Sequence, residues 1–162
     1  MKRALFAGIA LGASAASADD GAVASVSATA SPRFGPIPEE VAFARVDLAG
    51  GRTWWHRLHA GAVVGLGAGG HASWFAQAMG EAGAWLHASE RLDVLLGWRV
   101  GYSHFSIRDV PVGAVAGEFI ADLRFAVRSN LDVRFAPIVP TFYFAHGWNL
   151  MVGPEVGAVM RF

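Results

Sequence analysis

Leu150-Met151-Val152-Gly153-Pro154-Glu155-Val156-Gly157-Ala158-Val159-Met160-Arg161-Phe162 is the stretch on which the fold turns. Leu150, Val152, Val156, Ala158, Met160 and Phe162 share one side of an extended chain, while Glu155 and Arg161 share the other. Successive side chains of a strand point to opposite faces, so this is a period of two held over a full strand length.

The same period recurs upstream. Leu92, Val94, Leu96, Trp98, Val100 and Tyr102 oppose Asp93, Gly97, Arg99, Gly101 and Ser103; further on, Val115, Gly117, Phe119, Ala121, Leu123, Phe125 and Val127 oppose Glu118, Asp122 and Arg124. With turn signals between the runs, the spacing predicts strands over residues 22–30, 41–48, 54–66, 73–87, 92–104, 112–127 and 131–139, and then the C-terminal strand. The connections are a Pro-rich loop over 31–38, a tight turn at Ala49-Gly50-Gly51-Arg52, a loop over 67–71, and turns at Ala88-Ser89-Glu90 and Ser129-Asn130. A faint repeat, Arg91-Leu92-Asp93-Val94 against Asn130-Leu131-Asp132-Val133, is spaced by one hairpin pair and supports a meander. Pro137 and Pro154 lack the N–H that a closed ladder needs, so strand seven is expected to end early and strand eight to carry a bulge.

Two kinds of barrel alternate in this way. A soluble up-and-down barrel turns its apolar face inward, and a membrane barrel turns it outward. Glycines crowd the polar set, which suits the narrow inside of a small barrel. Trp54, Trp74, Trp98 and Tyr102 sit on the apolar set toward strand ends, as interfacial girdles do. The sequence therefore predicts an all-β, antiparallel, up-and-down transmembrane β-barrel of eight strands, with both ends of the chain on the same side.

The first residues fit export. Lys2 and Arg3 precede an apolar run from Ala4 to Ala13 and a small-residue site, Ala16-Ser17-Ala18, before Asp19. Residues 1–18 read as a signal peptide and 19–162 as the barrel domain. Without the signal the 13 basic residues fall to 11 against 13 acidic ones, a net charge of −2 that does not suit a nucleic-acid binder. Cysteine is absent, so closure must come from hydrogen bonding and not from disulfides. No apolar run in the remaining chain is long enough for a membrane helix; His71, Gln77 and Glu81 interrupt the best one.

An export signal, dyad alternation and a terminal aromatic together resemble the small eight-stranded outer-membrane β-barrel superfamily of Gram-negative bacteria. The resemblance implies a porin-like membrane protein located in the bacterial outer membrane and surrounded by outer-membrane lipids. It also implies that Phe162 is the assembly signal read by the barrel assembly machinery.

If the polar face is the lumen, it holds Arg45, Arg57, Arg99, Arg124, Arg134 and Arg161 with Asp47, Glu81, Asp93, Glu118, Asp122, Asp132 and Glu155. Buried charges persist only when paired, and the five donors of Arg suit carboxylates. Side chains fill an eight-stranded barrel. A plugged lumen is therefore expected, with an ion-pair network drawn from Arg99, Arg124, Arg134, Asp93, Asp122 and Asp132, in a protein of structural or surface-interaction role. A narrow channel for small solutes is one alternative.

A second alternative is chemical. His104-Phe105-Ser106, followed fourteen residues after the His by Glu118, resembles the His-x-Ser and later Glu of outer-membrane lipid A 3-O-deacylases. That resemblance implies Ser106 as nucleophile, His104 as its base and Glu118 as the orienting acid, the generalised triad arrangement. Ile107 stands where that family has Asn, and strand parity aims Glu118 inward and His104 outward. His56 and His59, three apart on a strand, oppose each other and make a poor joint metal site; His71 and His146 fall in loops and His87 near a turn. Gly65, Gly67, Gly69 and Gly70 precede no Lys-bearing helix, so no nucleotide loop and no cofactor is expected.

Overall fold

The computed structural model describes residues 21–34, 43–55, 57–70, 73–89, 91–107, 109–145 and 147–162, with Arg33 described in its backbone alone. The expected signal peptide, the last part of the Pro-rich loop, and His56, His71 and His146 lie outside the described residues.

Alternation is realised as nine segments: β1 Ala22–Ser31, β2 Arg33–Phe34, β3 Phe43–Trp54, β4 Leu58–Gly69, β5 Ser73–Ser89, β6 Leu92–Ile107, β7 Val110–Arg128, β8 Leu131–Ala145 and β9 Gly147–Arg161. Each pairs antiparallel with its neighbours, and β1 returns to pair with β9, closing the sheet. The short β2 continues β1 past Pro32, because Thr29↔Glu155 and Arg33↔Met151 belong to one register on β9. The result is a closed, all-antiparallel, eight-stranded up-and-down β-barrel. Gly21, Phe162 and the turns after β3, β5 and β7 share one end, here the near end; the other connections form the far end.

The two faces divide opposite to those of a soluble barrel. Among the described residues, buried polar side chains outnumber buried apolar ones, while Val46, Val64, Leu66, Leu96, Trp98, Val100, Val115 and Val156 are exposed on the outer wall. Inside, the far half is apolar. Phe43, Phe75, Phe105 and Tyr143 pack with Met79 and Met151, with Phe105 stacked on Phe75 at 5.2 Å and edge-on to Tyr143 at 5.0 Å. The near half is charged.

Several expectations are corrected. Gly50 and Gly51 stay inside β3 and do not turn; the chain reverses at Trp55, with a φ of 50°, and Arg57 N donates to Trp54 O at 3.0 Å. The glycine is there for room: a Cβ on Gly51 would lie 2.7 Å from the His59 ring. Arg57 is consequently exposed in the turn and not in the lumen.

β8 does not end near residue 139 but runs to Ala145. Its register slips by one residue between Ala136 and Val139 against β9 and between Phe135 and Thr141 against β7, so the bulge lies on β8 at Pro137-Ile138, both exposed. The bulge absorbs the missing N–H and reverses the parity, turning Val139, Thr141 and Tyr143 inward where Asp132, Arg134 and Ala136 point inward before it. Pro154 faces outward on β9, which keeps one unbroken register with β1 and β2, so the last strand carries no bulge there.

β6 and β7 also run further than expected, to Ile107 and from Val110, with Asp109 between them at a φ of 63°. Trp98 thus lies near the middle of β6, edge-on to Phe119 at 5.2 Å, and not toward its end.

Candidate functional site

The chemistry of the molecule is concentrated in the lumen. Glu81, Arg99, Glu118 and Thr141 occupy one rung of β5, β6, β7 and β8, each the register partner of the next. Alternation places all four inside, and the close spacing of adjacent strands lets them touch. Arg99 Nε donates to Glu81 Oε2 at 2.7 Å, its Nη1 donates to Glu118, and Thr141 Oγ1 donates to Glu118 Oε2 at 2.8 Å.

Strands across the barrel complete this layer. Arg45 of β3 pairs with Asp47 at 2.6 Å and reaches Glu118 at 3.0 Å. Glu155 of β9 receives Arg134 at 2.9 Å, Arg99 at 3.4 Å and the Ser27 hydroxyl. Arg134 also holds Asp122 at 2.7 Å. Arg99, Glu118 and Glu155 are at most 1% exposed. Each cation touches at least two carboxylates, so no single pair carries the desolvation cost alone.

Polar side chains tie this layer to the apolar one above. Tyr143 OH donates to Gln77 Oε1 at 3.4 Å, and Gln77 Nε2 donates to Asp47 Oδ1 at 3.1 Å. Gly65 leaves the space they need, since a Cβ there would run into Asp47 and Gln77.

Toward the near end, His59 Nε2 lies 2.6 Å from Glu81 Oε1, and Arg161 pairs with Asp132 at 2.6 Å. Arg124 is buried but makes no ion pair with the described residues; its guanidinium lies over the Trp85 ring, 4.0 Å from the centroid. Asp93 sits at the rim with His87 at 2.8 Å and is half exposed. The lumen therefore brings Arg99, Arg134 and Asp122 into one connected network, puts Asp132 and Asp93 into separate pairs, and leaves Arg124 on an aromatic face. His59, Arg45 and Glu155 join the arrangement, and His59 carried the weaker signal: it shares parity with Gly61, Gly65, Gly67 and Gly69 of β4.

His104 and Ser106 lie outside this chemistry. His104 is half-buried against Trp74, ring centroids 5.7 Å apart, and pairs in register with Gly113; Ser106 pairs with Pro111. Glu118 is five rungs away, about 16 Å along the strand, and its carboxylate is occupied by Arg99, Arg45 and Thr141. The structure does not bring the three residues together. Among the described residues no group of three His, Asp or Glu side chains could hold a metal ion. Phe162 is exposed, and its N donates to Ala22 O at 3.0 Å across the seam that closes the barrel.

No protein-family model and no curated protein matches the chain. Solved structures do. Neisserial surface protein A superposes with a TM-score of 0.73 at 10% identity, covering 87% of this chain and 97% of that one. Ail, the attachment invasion locus protein of Yersinia pestis, gives 0.58 at 14% identity, covering 89% and 99%. The outer-membrane enzyme PagL gives 0.63 at 14% identity, covering 82% and 97%. At these identities the likeness is one of fold, a small closed eight-stranded antiparallel barrel.

Proposed function

We propose that the protein is a non-enzymatic structural barrel of the bacterial outer membrane, with its lumen closed to solutes. The observation that carries this reading is the inversion of the two faces: Val100, Trp98, Val64 and Val156 are exposed on the wall while Arg99, Glu118 and Glu155 are sealed inside. An apolar wall of this kind is stable against lipid and unstable against water. The 16 residues of β6, tilted as barrel strands are, rise about 37 Å, more than the roughly 25 Å apolar band such barrels present to lipid. Outer-membrane lipids are then the main partners. Phe162, on the outside of the closing strand, is the residue we assign to recognition by the barrel assembly machinery.

Two layers support the closed lumen: the aromatic cluster of Phe43, Phe75, Phe105 and Tyr143, and the ion-pair network beneath it. At the far end three residues separate β4 from β5, two separate β6 from β7 and one separates β8 from β9, so any surface-interaction role would fall mainly to the eight residues between β2 and β3. The deacylase reading is not adopted, because Glu118 has no access to His104.

The test is fractionation of cells making the protein, followed by recording in planar bilayers. The expected result is recovery with outer-membrane lipid as a heat-modifiable band that produces no conductance steps. Recovery as a soluble monomer overturns the membrane placement, and regular conductance steps overturn the closed lumen.

A further inference from the structure

At the near end the charged lumen opens into a vestibule of about 320 Å³ whose walls include Trp85, His87, Asp93, Arg124, Asp132 and Arg161. Among the described residues its charges pair off with one exception. Arg161 holds Asp132 at 2.6 Å, and His87 holds Asp93 at 2.8 Å. The carboxylates just below are also engaged, Asp122 by Arg134 at 2.7 Å and Glu81 by His59 and Arg99 at 2.6 and 2.7 Å.

Arg124 is left over. It is 7% exposed, its Nε meets no acceptor, and no carboxylate of the described residues lies within ion-pair distance of it. The Trp85 ring fixes the guanidinium plane at 4.0 Å, and its register partner on β8 is a second inward-pointing arginine, Arg134. A buried cation with no counter-ion among the described residues is costly, and a cation–π contact offsets only part of that cost. That neighbour is engaged by Asp122 at 2.7 Å and Glu155 at 2.9 Å, so these two acids are committed to Arg134 and not to Arg124.

We propose that this vestibule is a binding site for a small oxyanion, a carboxylate- or phosphate-bearing solute, with Arg124 as the anchoring residue. The guanidinium fork matches two oxygens of either group, and Trp85 holds it ready, so little ordering is lost on binding. At roughly 30 Å³ per water, the vestibule has room for an anion of several heavy atoms with part of its hydration shell. Asp132 and Asp93 limit the affinity by occupying the other donors. The inference concerns the barrel's own end and holds whichever membrane surrounds the wall.

The test uses the full chain folded in an uncharged detergent and titrated calorimetrically with sodium phosphate and, separately, sodium acetate, at constant ionic strength. Saturable binding of at least one anion is expected, weakened at least tenfold by Arg124→Gln, as loss of a charge-assisted hydrogen bond implies. Arg128→Gln, at the exposed end of β7, should leave it unchanged. Saturation by phosphate alone assigns a phosphate-bearing solute, and saturation by acetate alone a carboxylate. Asp132→Asn frees Arg161 and should tighten binding, which keeps the test readable if Arg124→Gln misfolds. No saturable heat from either anion, equal affinity in wild type and Arg124→Gln, or no tightening in Asp132→Asn overturns the proposal.

Discussion

Arg99 stands directly opposite Glu118 across β6 and β7, and the two form an ion pair sealed from solvent inside the barrel. Glu81 faces Arg99 from the other side at 2.7 Å, so one guanidinium joins three consecutive strands on a single rung. This rung gives the barrel a specific register as well as a plug. A one-residue slip of β6 would move Arg99 to the outer wall and leave both carboxylates buried without it.

Replacing Arg99 therefore costs more than the contacts it makes. Arg99→Leu leaves Glu81 with His59 and Glu118 with Arg45 and Thr141, short of the charge that balanced both, and we expect a loss of about 3–5 kcal/mol in urea unfolding from lipid vesicles. Arg128→Leu, at the exposed near end of β7, should change stability by about 0.5 kcal/mol or less. Equal losses in the two variants would contradict the inward network.

The outer wall makes the complementary prediction. Val100 is next to Arg99 in sequence, 61% exposed and near the middle of β6. Val100→Arg should cost about 2–4 kcal/mol in lipid vesicles, the depth-dependent cost of a charge at mid-bilayer. Trp55→Arg, in the near-end turn and 76% exposed, should cost no more than about 1 kcal/mol. A neutral Val100→Arg would mean that water, not lipid, covers this wall.

Parity along β6 and β7 was enough to read Arg99, Glu118, Asp122 and Arg124 as one face and Trp98, Val100 and Phe119 as the other. Strand number and closure followed from turn spacing and the final alternating stretch. Parity is local, however, and failed wherever the backbone departed from a strict period of two. The bulge at Pro137-Ile138 hid the inward turn of Thr141 and Tyr143. The Gly50-Gly51 pair imitated a turn, although Gly51 serves to admit the His59 ring. Nor could parity say which arginine meets which acid: Arg45 and Glu118 are 73 residues apart and meet across the lumen, a consequence of how far the sheet is sheared when it closes.

The glycines of β4 give a test of packing that leaves charge untouched. Gly65→Val places a side chain against Asp47 and Gln77 and forces apart their 3.1 Å hydrogen bond. A destabilisation of about 1–3 kcal/mol is expected for such overpacking, with a lower yield of heat-modifiable barrel. Gly117 has no atom within 4 Å of its missing Cβ, so Gly117→Val should be neutral within about 0.5 kcal/mol. If both variants folded equally well, the lumen would be looser than the ion-pair geometry implies.

The final prediction concerns His104 and Ser106. A serine nucleophile needs its base held by an acid, and His104 is held by the Trp74 ring. Glu118, the acid at the right sequence spacing, lies on the opposite face of the sheet, bound to Arg99, Arg45 and Thr141. Bringing it to His104 would require breaking the central rung and reversing the parity of β7, which costs more than a local rearrangement supplies. Lipid A from cells making the wild-type protein and from cells making Ser106→Ala should therefore have the same acylation pattern by mass spectrometry. Loss of one ester-linked chain in the wild type alone would show that another group supplies the missing acid, and would reinstate Ser106 as a nucleophile.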